Sequence, residues 1–134
     1  MHLADLASAL APVEEAADPV TTVHKALRRF MFETLVRVGA VDVMDRLDLE
    51  RTVNLVQRLL GVLGEAAPPL HVTMQALRHG GASQRRALAA QLYRELSLLV
   101  TAQLQRIELE EARRSRRLSG AALHQWRQGQ LAGL

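Results

Sequence analysis

Asp18-Pro19-Val20-Thr21-Thr22-Val23-His24-Lys25-Ala26-Leu27-Arg28-Arg29-Phe30-Met31-Phe32-Glu33-Thr34-Leu35-Val36-Arg37-Val38-Gly39 reads as one helix from cap to stop. Asp18 is a helix-capping residue, and Pro19 suits the first helical position, where its missing N–H has no partner to lose. Val20, Leu27, Met31, Leu35 and Val38 then recur at helical spacing, and Gly39 is the expected stop. The same reading extends downstream. Leu49, Val53, Val56, Leu60 and Leu63 predict a second helix over about Leu47 to Leu63, ended by Gly64 and the Pro68-Pro69 pair. A third, shorter helix is expected from Leu70 to His79, stopped by Gly80-Gly81. Ser83 is read as the cap of a long fourth helix, Gln84 to Leu118, and Ser119 as the cap of a last segment carrying Leu123, Trp126 and Leu131. Upstream, Leu3, Leu6 and Leu10 form a brief amphipathic stretch ending near Pro12.

Composition agrees with helices throughout. Of 134 residues 49% are apolar and only 3% aromatic, so the core must be built from Leu, Val, Met and Ala. The expectation is an all-α, antiparallel up-down four-helix bundle. It is read as a single domain over residues 1–134, with an N-terminal arm (1–17) and a C-terminal segment (119–134).

There is no cysteine, which excludes disulfides, thiolate metal sites and cysteine nucleophiles. Met1 to Ala17 has no basic segment and carries Asp5, Glu14 and Glu15, so it does not read as a signal peptide. No apolar run approaches the roughly 18 residues needed to span a bilayer. The expected location is the cytoplasm, with no membrane partner. Net charge is +3, and Lys25 is the only lysine. Arg113-Arg114 and Arg116-Arg117 are the densest basic patch, but they follow Glu108, Glu110 and Glu111 and contain no aromatic for base stacking. A solvated helix end is the better reading, and weak nucleic-acid binding is a second alternative. No phosphate loop or nucleophile pattern is present, so the chain does not read as an enzyme.

Polar residues on apolar faces carry the remaining information. His24 falls inside the stripe of the first helix. On the fourth helix Leu88, Leu92, Leu96 and Leu99 define the inner face, and its continuation predicts Gln103, Arg106 and Glu110. His71 lies to one edge of the Leu70–Met74–Leu77 stripe. These groups either converge on a polar site inside the bundle, or are a satisfied core histidine and an ordinary i,i+4 ion pair.

The segment Asp18 to Arg29 around His24, the segment Leu104-Gln105-Arg106-Ile107-Glu108-Leu109-Glu110-Glu111, and His71 at the start of the third helix together resemble hemerythrin-like (HHE cation-binding) domains. The resemblance covers most of the chain at the level of helix order. It implies a hemerythrin-like bundle in which His24, His71, Glu110 and Glu111 stand where that family holds iron, and a family role of iron and dioxygen binding or sensing. The departures are large. Leu59 to Leu70 has no histidine where the second helix should carry a His-x-x-x-Glu pair, and Glu65 is the only carboxylate there. Gln75 and Arg106 stand where histidines are expected. The remaining set is too small for two irons, leaving either a mononuclear site at His24, His71 and Glu110 or no cofactor. Arg106 beside Glu110 then becomes a structural ion pair in place of the metal.

The reading is therefore a divergent hemerythrin-like domain with a degraded metal site. Its alternative from another class is a metal-free helical interaction module. That module would be a homodimer or take a protein partner through apolar helix surface near Leu98, Val100 and Leu104.

Overall fold

A computed structural model describes residues 19–132, with side chains as far as Arg117. Among these residues there are four helices and no strand: α1 (Pro19–Gly39), α2 (Arg46–Leu63), α3 (Pro68–His79) and α4 (Ala82–Ala132). The amphipathic stretch at Leu3, Leu6 and Leu10, and the side chains of Leu123, Trp126 and Leu131, lie outside the described residues. The chain divides into two compact units, Met1–Val100 and Thr101–Leu134, and α4 runs through both.

In the first unit each helix starts and stops for a local reason. Asp45 caps α2, its carboxylate accepting from the Leu47 N–H at 3.0 Å and the Asp48 N–H at 3.2 Å. Gly64 ends α2 in the left-handed conformation (φ 68°), with Gly64 N–H donating to Gly61 O and Glu65 N–H to Leu60 O. That pair of bonds satisfies the last carbonyls of the helix. Pro68 and Pro69 open α3 and do not end α2, as the sequence suggested. Proline lacks the N–H that a first turn cannot use, so it begins a helix readily. The Ala67 carbonyl accepts from Leu70 and His71 to close that first turn.

The cores of α2 and α3 follow the sequence pattern. Leu49, Val53, Val56 and Leu60 are buried on α2, with Leu59 and Thr52 beside them. Leu70, Met74 and Leu77 are buried on α3, with Thr73. Removing one such leucine or methionine from water contributes about 1.5–3 kcal/mol. On α1 the buried face is broader than the predicted stripe: Met31 and Val38 are buried, Val20, Leu27 and Leu35 are half-buried, and Ala26, Phe30 and Thr34 join the core. Thr34 is tolerated there because its hydroxyl donates to the Phe30 carbonyl at 2.7 Å.

α4 departs from expectation at two places. It is one helix of 51 residues and passes through Ser119 without a break. The residues around Ser119 include no proline, and Gly120 costs only about 1 kcal/mol in a helix of otherwise good formers. Its buried face also takes another course. Leu92, Leu96 and Val100 are buried in the first unit, and Ile107 is buried in the second. Gln103, Glu111 and Arg114 are half-buried, whereas Arg106 and Glu110 are exposed. The projection through Leu99 followed a half-buried edge of the helix, and over three turns that offset carried it to the wrong residues. Leu98 is exposed as expected, but Val100 is core.

Candidate functional site

The residues proposed from the sequence as metal ligands differ in burial. His24 is buried on α1, His71 is exposed on α3, Glu110 is exposed and Glu111 half-buried on α4. Among the described residues there is no group of three or more His, Cys, Asp or Glu side chains placed to hold a metal ion. Arg106 and Glu110 stand one turn apart on an exposed face and not on the buried stripe, where an ion pair was expected to balance charge in place of a metal. Gln75 and Glu65 are exposed and half-buried respectively. The basic residues Arg113, Arg116 and Arg117 are exposed and Arg114 is half-buried, but α4 continues past them to Ala132, so the cluster is a solvated stretch of the helix and not its end.

The first unit presents a different feature. A groove of about 940 Å³ lies between the last two turns of α1, the α1–α2 connection and the first half of α4. Its apolar side chains are large and open to solvent: Phe32 is 52% exposed, Val36 71%, Met44 70% and Tyr93 42%. Phe32 and Val36 stand one turn apart on α1, facing away from the Met31–Val38 core. Ala89 and Ala90 on α4 are small, which keeps the floor of the groove open between α1 and Tyr93. Gly39 lets the Tyr93 ring approach the α1 backbone, since a Cβ at that position would stand 3.2 Å from Tyr93 Cε2.

The wall formed by residues 40–45 is held by hydrogen bonds and not by regular structure. The Asp48 carboxylate accepts from the Asp42 N–H at 2.8 Å through one oxygen and pairs with Arg37 at 3.3 Å through the other. Asp42 Oδ1 accepts from the Met44 N–H at 3.0 Å, a local turn that presents the Met44 side chain outward. Arg85 Nη1 reaches the Val43 carbonyl at 3.5 Å and ties the connection to α4. The groove therefore has a braced rim around an apolar floor, the arrangement expected of a preformed binding surface.

Two arginines flank this floor. Arg86 and Arg94 are exposed on α4, and among the described residues neither has a hydrogen-bond or ion-pair partner. Elsewhere Arg29 pairs with Glu33, Arg37 with Asp48 and Arg78 with Glu50, while Arg46, Arg51 and Arg58 on α2 are, like Arg86 and Arg94, without a partner among the described residues.

This groove is not among the sites expected from the sequence. The signal was present on α1, where Met31-Phe32 and Leu35-Val36 are adjacent apolar pairs: one member of each serves the core, and the other has no place in it. No helix among the described residues is long and apolar enough to cross a membrane. No protein-family model matches the chain, and it matches neither a curated protein nor a solved structure.

Proposed function

We propose that the chain is a helical protein-interaction module that acts without a metal and docks a helical segment of a partner protein in the groove beside Tyr93. The observation that carries this reading is the exposure of Phe32, Val36, Met44 and Tyr93 along one continuous groove. Single exposed apolar residues are ordinary on a protein surface, whereas a contiguous set with a braced rim marks an interaction site. Two walls from α1 and α4 form the kind of trough into which an amphipathic helix lays its apolar face. The short connections between helices support an antiparallel up-down arrangement behind that surface.

The test is titration of the ¹⁵N-labelled chain with an amphipathic helical peptide carrying leucine at helical spacing. Amide shifts confined to Phe32–Met44 and Arg86–Arg94, abolished by Val36→Asp with the far-ultraviolet circular dichroism unchanged, are the expected result. Shifts elsewhere, or none, overturn the reading.

One observation favours a second reading, the divergent hemerythrin-like domain with a residual iron site. His24 is only 6% exposed, and a buried histidine on the first helix is where that family's first ligand would stand. Elemental analysis of protein grown with iron and purified without chelator separates the two. About one metal per chain, lost in His24→Ala, would establish the iron site, and metal near zero in folded protein would remove it.

A further inference from the structure

Resting on the groove as a docking surface, we infer that its partner is an acidic amphipathic helix, with carboxylates flanking the apolar face and aimed at Arg86 and Arg94. The two arginines stand eight residues apart on α4, a rise of about 12 Å at 1.5 Å per residue. On a partner helix, side chains seven or eight residues apart span about the same distance. Leucines at intermediate positions then fall among Phe32 and Val36 of α1, Met44 of the α1–α2 connection and Tyr93 of α4.

The charge balance of the groove argues for carboxylates. Among the described residues Asp42 is the only acidic one lining it, and one oxygen of its carboxylate is already turned to the Met44 N–H of its own connection. Asp48, next along the chain, is engaged with Asp42 N–H and Arg37. The groove therefore offers two guanidinium groups with no partner among the described residues and no acceptor to answer them. Each is a planar fork of donors matched to a carboxylate. A basic helix would bring its charges against these arginines, and like charges at an interface oppose the wrong partner.

The experiment uses the full chain and two synthetic helical peptides with the same leucine register. One carries glutamate at the flanking positions and the other lysine. Fluorescence anisotropy should show the glutamate peptide binding about tenfold more tightly, since two exposed ion pairs are gained in one complex and two repulsions met in the other. Raising the salt should shrink that difference. Arg86→Gln with Arg94→Gln should erase it, and Arg86→Glu with Arg94→Glu should reverse it. Equal binding of both peptides overturns the acidic partner and leaves the docking surface standing. Binding of neither overturns the docking surface itself. A dimer in sedimentation that Val36→Asp dissociates assigns the groove to a second copy, and overturns the acidic partner as its occupant.

Discussion

Tyr93 lies against Gly39 so closely that a Cβ on Gly39 would stand 3.2 Å from its Cε2 and 3.6 Å from its Cδ2. This contact seats the Tyr93 ring of α4 against the last turn of α1, where both residues line the groove. Gly39 is the last residue of α1 and does not adopt a positive φ, so its role is space and not a left-handed turn. Gly39→Ala should consequently keep the fold. Alanine gains about 0.5–1 kcal/mol in a helical position, and the half-exposed ring can yield a few tenths of an ångström. The expected outcome is a shifted Tyr93 ring resonance, weaker binding of a groove peptide, and stability within about 1 kcal/mol of the parent. Loss of more than that in urea unfolding would show that the ring cannot move.

Gly64 serves the other purpose. Its φ of 68° puts it in the left-handed region, and nothing stands within 4 Å of where a Cβ would be. Gly64→Ala should therefore cost about 1–2 kcal/mol through backbone conformation alone. Gly64→Asn should cost less, because asparagine tolerates that region. Urea midpoints of the two variants, with an unchanged m-value, check the order.

The contrast between these glycines shows where the sequence was legible. Apolar spacing alone located the four helices and most of the α2 and α3 core, because burial there is one-sided. It placed α1 and then undercounted its apolar surface, since Phe32 and Val36 belong to a second face that a single-stripe reading discards. Gly39 and Gly64 both look like stops, and only the backbone angle separates a left-handed cap from a contact with a ring 54 positions away. Arg106 and Glu110 lie off the expected inner face for a geometric reason: a stripe projected from its edge drifts off the buried side within a few turns, whereas Val100 to Ile107 stays on it. The groove was invisible because Tyr93, Met44 and Val36 meet only through the packing of α1 and α4.

Asp48 holds the α1–α2 connection with both carboxylate oxygens. Asp48→Ala should destabilise the unit by about 1–2 kcal/mol, from a lost charge-assisted bond to Asp42 N–H and a lost acid in the first turn of α2. Hydrogen exchange at the Asp42 amide should accelerate well beyond the global change. Asp48→Asn retains an acceptor for that amide and should protect it more than alanine does. Equal exchange in the two variants would mean that the connection is held by something else.

Thr34 and Thr73 are both buried, yet their hydroxyls differ in what depends on them. Thr34 donates at 2.7 Å to the Phe30 carbonyl of its own helix, which already has helical partners. Thr73 Oγ1 stands 2.6 Å from Glu95 Oε1, across from α3 to α4, and 3.1 Å from the Pro69 carbonyl of its own helix; its single proton serves the shorter contact, and the hydroxyl accepts from Gln91 Nε2 at 3.4 Å. Glu95 Oε2 is buried and has no hydrogen-bond partner among the described residues, so the carboxylate is only half satisfied, and the bond it receives at Oε1 comes from Thr73. Thr73→Val should therefore cost about 1.5–3 kcal/mol, the range for a hydrogen bond to a charged group. Thr34→Val, the same change of shape, should stay within about 0.5 kcal/mol, because it removes a hydroxyl and orphans nothing. Adding Glu95→Met to Thr73→Val should recover most of the loss, since removing both partners leaves no buried group unpaired. Urea unfolding of Thr34→Val, Thr73→Val, Glu95→Met, the Thr73→Val/Glu95→Met pair and the parent decides it. Equal costs at Thr34 and Thr73, or additive losses at Thr73 and Glu95, would mean that the two helices are held by packing alone.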